Sequence, residues 1–195
     1  MNHCISQVIL SGKHARLEPL TQNHCQDLQE AVQDGELYNI WYTRIPTPEN
    51  MAAEIDRRLQ LQAKHEMLPF AVIDIATNKA VGMTTYFNIN QENRRLEIGY
   101  TWYRQSMQRT ALNTEAKYLL LLHAFEVLGC VGVEFRTHQF NYRSQAAIGR
   151  LGAKLDGILR SARVMKNGAI ADSYVYSILG SEWAIVKTHL LARLM

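Results

Sequence analysis

Cysteine is scarce in this chain, and its placement excludes two kinds of protein. Cys4, Cys25 and Cys130 are the three present among 195 residues. They are odd in number, far apart, and never form a Cys-x-x-Cys pair. That argues against a disulfide framework or a zinc site and for reduced thiols in a cytoplasm. With 4 prolines and 11 glycines, the chain is not a disordered or collagen-like polymer. The most apolar helical stretch, residues 118–133, is too short for a bilayer and carries His123 and Glu126. The first twelve residues lack the basic and apolar regions of an export signal. Excess charge is also small. A net charge of +3 is compatible with an anionic ligand and far from the bias of a dedicated nucleic-acid binder. The seven histidines show no metal-ligand spacing, so no metal is expected. Repeats, low-complexity tracts and linkers are missing too, and one domain over 1–195 is expected.

What is present alternates helical and extended patterns. Residues 15–20 alternate as a short strand, and Thr21 can cap a helix running through Leu28 and Ala31. Residues 45–49, Ile-Pro-Thr-Pro-Glu, read as a rigid turn. From it Thr47 or Pro48 opens a second helix toward His65, with Met51, Ile55, Leu59 and Leu61 near helical spacing. Strand signals cover 70–75, 80–89 and 95–103, and the turns between them are too short for anything but antiparallel hairpins. A polar loop over 104–113 leads into a helix over 114–128, a strand over 131–138 and a helix over 142–151. Strands over 153–166 and 169–179 meet at Asn167-Gly168, a strong hairpin signal, and a last helix begins near Ser181. The order predicts a mixed α/β domain with its ligand site at the central strand–loop–helix segment.

That segment carries the chemistry. A strand containing Glu97, Ile98, Gly99 and Tyr100 ends, and the loop Gln108-Arg109-Thr110-Ala111-Leu112-Asn113 turns into a helix at Thr114. The unpaired N–H groups of a helix start, with the helix dipole, suit a pyrophosphate. Arg109 and Thr110 add a charge and a hydroxyl, and small Ala111 lets an anion approach the backbone. The plainer alternative is an ordinary helix capped by Asn113 or Thr114.

The loop resembles the acetyl-CoA motif of the GNAT acetyltransferases, usually Gln/Arg-x-x-Gly-x-Gly/Ala, with Ala111 and Asn113 at the small positions. Residues 113–117, Asn-Thr-Glu-Ala-Lys, resemble the branch that includes the RimJ/RimL-type ribosomal-protein acetyltransferases. So do Asn141-Tyr142-Arg143-Ser144, Arg150-Leu151-Gly152-Ala153, Tyr176-Ser177-Ile178-Leu179 and Glu182-Trp183. The resemblance covers nearly the whole chain. It implies a GNAT-like, mostly antiparallel central sheet flanked by helices, and acetyl-CoA as co-substrate without a metal. A methyl at Ala111 demands a negative φ there. The tyrosine that many GNAT enzymes use to protonate the leaving thiolate falls at Ile148, so Ser144 is the candidate acid, with Asn141 beside it.

The resemblance further implies direct attack of a neutral amine on the thioester. It places the pantetheine arm along the backbone of Ile98, Gly99 and Tyr100, where an N–H faces the carbonyl oxygen. Glu97 is the candidate base, its alternative being a solvent-facing strand residue. The implied acceptor is a protein N-terminus or a small amine. Tyr38, Trp41 and Tyr42 are candidate acceptor contacts, with packing under a loop as the alternative, and His138 is a minor candidate base. Two other readings compete. One is an inactive acyl-CoA-binding sensor, prompted by Ala111 and Ile148. The other, ranked last, is a nucleic-acid module, because Arg136, Arg143, Arg150, Arg160 and Arg163 are scattered over different elements. A homodimer through the late strands is a family-based expectation.

Overall fold

The computed structural model describes residues 6–165 and 167–195. Cys4, and Lys166 at the expected end of a strand, lie outside the described residues. Among the described residues, eight strands form one sheet: β1 (Leu10–Ser11), β2 (Ala15–Pro19), β3 (Met67–Asp74), β4 (Lys79–Asn90), β5 (Arg95–Tyr103), β6 (Gly132–His138), β7 (Lys154–Val164) and β8 (Ile170–Leu179). Their spatial order is β1-β2-β3-β4-β5-β6-β8-β7. Every neighbouring pair is antiparallel except β5 and β6, which run parallel. The mostly antiparallel sheet is the one expected.

Helices cover both faces. α1 (Cys25–Gln33) and α2 (Met51–Ala63) lie on one, and α3 (Ala111–Leu122) and α5 (Trp183–Ala192) on the other, while α4 (Tyr142–Arg150) follows β6. The strand alternation divides the core accordingly. Phe70 and Val72 of β3 join Leu96, Ile98, Leu112, Leu120 and Trp183, whereas Ala71 and Ile73 join Leu28, Val32, Met51 and Ile55. Covered on both faces, β3 is buried throughout, which is why it reads as a continuous apolar run.

β3 begins at Met67, before the expected Phe70, and so contains Pro69. The Pro69 carbonyl accepts from Leu20 N–H at 3.1 Å, on the β2 side. The missing N–H faces the same side, past the end of β2 opposite Phe70, where no ladder bond is lost. The late hairpin also differs in detail. Gly168, at φ 80°, donates to Met165, and Met165 N–H donates to Ala169 at 2.8 Å. Gly168 therefore supplies one left-handed residue in a loop longer than a two-residue turn.

The central helix departs most from expectation. It starts at Ala111, before Thr114, and its regular part ends at Leu122. A π-helical turn, His123–Val127, follows, with Leu128 N–H donating to His123 at 3.0 Å. Glu115, one turn into α3, is buried and accepts from the backbone N–H groups of Lys13, His14 and Ala15 at 2.8, 2.5 and 2.7 Å. This carboxylate fastens α3 to the β1–β2 turn. Gly12 is required beside it, since a Cβ there would overlap the Glu115 carboxyl group.

Candidate active site

The parallel pair β5–β6 is short. Arg95, Leu96 and Glu97 pair with Gly132, Val133 and Glu134, and the ladder stops there although both strands continue. Past Glu97 the strands splay into a wedge, and the backbone of Ile98, Gly99 and Tyr100 lines it on the β5 side. A bulge re-aims this stretch: Gly99 pairs with Thr85 and Trp102 with Met83, so Tyr100 and Thr101 together oppose Thr84. Tyr100 takes the left-handed region at φ 49°, uncommon for a bulky residue.

Two buried basic side chains hold the bulge from opposite faces of the sheet. Arg58 of α2, 1% exposed, pairs with Glu54 at 2.7 Å. Its guanidinium donates to Thr85 Oγ1 at 3.0 Å and reaches the Tyr100 carbonyl at 3.4 Å. From α3, Lys117 Nζ donates to Thr84 Oγ1 at 3.0 Å and Thr101 Oγ1 at 2.7 Å. Burial pushes the Lys117 amine down to about 7. The Tyr100 ring packs on Phe87, with the Arg57 and Arg58 guanidinium carbons 5.6 and 5.5 Å from its centre.

The α3 N-terminus is built differently from the expected cap. Thr110, not Asn113 or Thr114, is the N-cap: its Oγ1 accepts from Leu112 N–H at 3.3 Å and donates to the Met107 carbonyl at 2.8 Å. That hydroxyl is committed to the turn rather than available to a phosphate. Asn113 and Thr114 stand inside the first helical turn, and the Leu112 side chain is core, which leaves its backbone as the part that can face a ligand. Ala111 is the first helical residue, so its φ is negative as its methyl requires. The left-handed conformation falls on exposed Arg109 instead, at φ 65°. Gln108 braces the loop by donating from its amide to the Tyr103 carbonyl at 3.1 Å.

Asn141 is the N-cap of α4, with Oδ1 accepting from Ser144 N–H at 3.1 Å. Its side-chain oxygen is thus committed as a helix cap, and a contact of Asn141 with a co-substrate would fall to its Nδ2. Ser144 is half-buried on the same first turn. Ile148 is buried in the core and supplies no acid at that position.

On the α1–α2 face of the sheet lie Glu97 of β5 and Glu134, Arg136 and His138 of β6. Glu97 is 3% exposed, so it is not the solvent-facing residue of the alternative reading. Burial pushes its carboxyl up to about 7, against the lowering effects of an Asn88 hydrogen bond at 2.8 Å and the Arg136 charge at 3.4 Å. Trp41 and Tyr42 are the central residues of a turn closed by Thr43 N–H to Ile40 at 3.0 Å. Their rings meet His138 at 5.3 and 5.7 Å, and Phe140 lies 5.7 Å from His138. Tyr38 does not join them; it packs half-buried against the α1–α2 core. The pattern reading missed Arg58, Lys117 and Phe140. A lone charge within an apolar helical stripe was the available signal for the first two. Among the described residues, no group of three or more His, Cys, Asp or Glu could hold a metal ion, and no helix is long and apolar enough to cross a membrane.

Comparison with known proteins places this geometry. Residues 14–154 match the family described as acetyltransferase (GNAT) domain. Over 102 residues the chain is 33% identical to a Bacillus subtilis (strain 168) protein provisionally named a ribosomal N-acetyltransferase, YdaF. Over 115 residues it is 30% identical to an uncharacterized N-acetyltransferase, p20, of Bacillus licheniformis. These matches take in 52% and 59% of this chain, and span 55% and 64% of those relatives. Solved structures match over nearly the whole chain. A GCN5-related N-acetyltransferase from Brucella melitensis is 32% identical with a TM-score of 0.89, covering 98% of this chain and 87% of that one. A provisionally named acetyltransferase from T. thermophilus is 33% identical with a TM-score of 0.85, covering 99% and 100%.

Proposed function

Because the chain belongs to the acetyltransferase (GNAT) domain family, we propose that it is an acetyl-CoA-dependent N-acetyltransferase acting by direct attack of a primary amine. The observation that carries this reading is the wedge. An unpaired stretch of β5 backbone opens beside a helix N-terminus, with a buried carboxyl on the acceptor side. The donors present fit the co-substrate. The first-turn N–H groups of α3 and the exposed Arg109 guanidinium suit its phosphates, and the open edge at Ile98, Gly99 and Tyr100 suits its amide-bearing arm.

Acetyl-CoA supplies an activated acyl carbon and a thiolate leaving group. The chain's residues do the rest. The bulge fixes the backbone that aligns the thioester, and alignment of reactants can recover roughly 7–11 kcal/mol of barrier. Glu97, with a carboxyl near 7, takes the proton of the attacking amine directly or through water. The nitrogen bonds to the acyl carbon, the C–S bond breaks, and Ser144 Oγ is proposed to hydrogen-bond the departing sulfur. Trp41 and Tyr42 wall the acceptor side. The acceptor is a protein N-terminus or a small amine, and the name of the Bacillus subtilis relative, a ribosomal N-acetyltransferase, favours the former. The protein is proposed to work in the cytoplasm, as one catalytic domain, and as a homodimer through β7.

Calorimetric titration with acetyl-CoA, followed by thiol release in the presence of peptides and polyamines, tests the reading. One-to-one binding with amine-dependent thiol release supports it. Binding without release on any amine supports the sensor alternative, which Ile148 in place of the tyrosine favours.

A further inference from the structure

His138 is 2% exposed, and its Nδ1 accepts the Phe140 N–H at 3.1 Å. A neutral ring so held carries its proton on Nε2. That Nε2 is buried and, among the described residues, has no hydrogen-bond partner. Directly opposite on β8 stands Ser173, also 2% exposed, whose Oγ is likewise buried without a partner among the described residues. Gln139 N–H donates to the Asp172 carbonyl at 3.3 Å, so His138 and Ser173 form the non-hydrogen-bonded kind of pair, whose side chains approach most closely. Two adjacent buried polar groups left unpaired cost stability and call for a partner. Around them, the Trp41–Tyr42 turn faces Phe140, with the Trp41 and Phe140 rings 6.2 Å apart. Trp41 is 56% exposed and forms the solvent-facing wall of the box.

We propose that this box is an acceptor subsite in which His138 Nε2–H and Ser173 Oγ bind a carbonyl oxygen adjacent to the reacting amine. The acceptor is then an α-amino carbonyl compound, such as the first residue of a peptide, rather than a polyamine. The inference rests on the transferase reading above. A carbonyl oxygen has two lone pairs and satisfies both donors, whereas a protonated polyamine only donates and leaves Nε2–H unpaired. The aromatic walls accommodate an apolar side chain on that first residue. His138 thereby acts in specificity and not as the base: one ring nitrogen is occupied by a backbone N–H and the other already bears a proton. Burial holds its pKa below the usual histidine value, which keeps the ring in this neutral form at neutral pH.

The test uses the full chain with saturating CoA and two matched probes, leucinamide and isopentylamine, which share a skeleton except for the carboxamide group. Leucinamide should move the His138 side-chain NMR resonance, assigned with His138→Phe, and isopentylamine should not. In turnover, Ser173→Ala and His138→Phe should lower kcat/KM for leucinamide ten- to a hundredfold, mostly through KM. Turnover of isopentylamine and the affinity for CoA should stay unchanged. Because the two amines differ in basicity, each is compared between wild type and variant. An unmoved resonance, or equal loss on both amines with Ser173→Ala, overturns the subsite. A shifted resonance without acetylation of any amine keeps the subsite and removes the transferase reading. Acetylation with no response to Ser173→Ala does the reverse.

Discussion

Glu97 combines burial with a carboxyl near 7, and the proposed mechanism makes it the proton acceptor. Glu97→Gln should lower kcat about 10²–10⁴-fold and abolish the rise of rate with pH through about 7, while CoA affinity measured by calorimetry is retained. The stability linkage has a definite sign. The folded-state value lies above the unfolded one of 4.5, so this group's contribution is full below 4.5 and is lost as pH rises through about 7. Lys117 titrates the other way. Its folded value, near 7, lies below 10.5, so burying it destabilises the fold fully below 7 and not at all above 10.5. Lys117→Met should therefore raise the melting temperature at pH 6, with the gain shrinking toward pH 10.5, and Thr84 and Thr101 still bond each other at 2.8 Å. Neither residue's state was legible in the sequence. Alternation assigns Glu97 a face of its strand, but whether that face is wet depends on the α1–α2 layer and Arg136, which come from distant parts of the chain.

At the scale of elements, α3 is fixed at its start by the Thr110 cap and in its second turn by Glu115. Thr110→Ala should cost about 1 kcal/mol, read as a urea midpoint shift with unchanged slope. Glu115→Ala leaves three backbone N–H groups without their acceptor and should cost about 3 kcal/mol or more in the same measurement. Gly12→Ala should approach that loss, because its methyl displaces the same carboxylate. The hairpins β3–β4–β5 and the end of α4 were legible because local spacing and turn chemistry decide them. The start of α3 was not. Asn113 and Thr114 are good caps, yet Leu112 is drawn into the core and carries the helix back to Ala111. Two-residue β1 and the π turn after Leu122 are likewise fixed by tertiary contacts, with Glu115 and with Tyr86, whose hydroxyl donates to the Leu120 carbonyl at 2.5 Å.

For the whole molecule, β7 is the open edge. It exposes Leu155, Ile158, Leu159 and Val164 along one long strand, beside exposed Ile170 of β8. Long apolar edges are seldom left uncovered. Sedimentation equilibrium should find a dimer that Ile158→Lys with Val164→Lys converts to monomer without loss of helical signal; a wild-type monomer at micromolar concentration removes the proposed homodimer. The strand order was only partly legible: sequential hairpins follow from short turns, but nothing local states that β6 joins β5 in parallel for so few residues. That brief junction divides the sheet into two plates, β1 to β5 and β6-β8-β7, riveted by three residue pairs. The first plate is assembled mainly from neighbours in sequence and so has the low loop-closure cost of early folding units. The second closes onto it across α3. Hydrogen exchange should then resolve two cooperative units, with the later strands opening at lower free energy. A ligand bridging the wedge would weld the plates and merge the two openings into one.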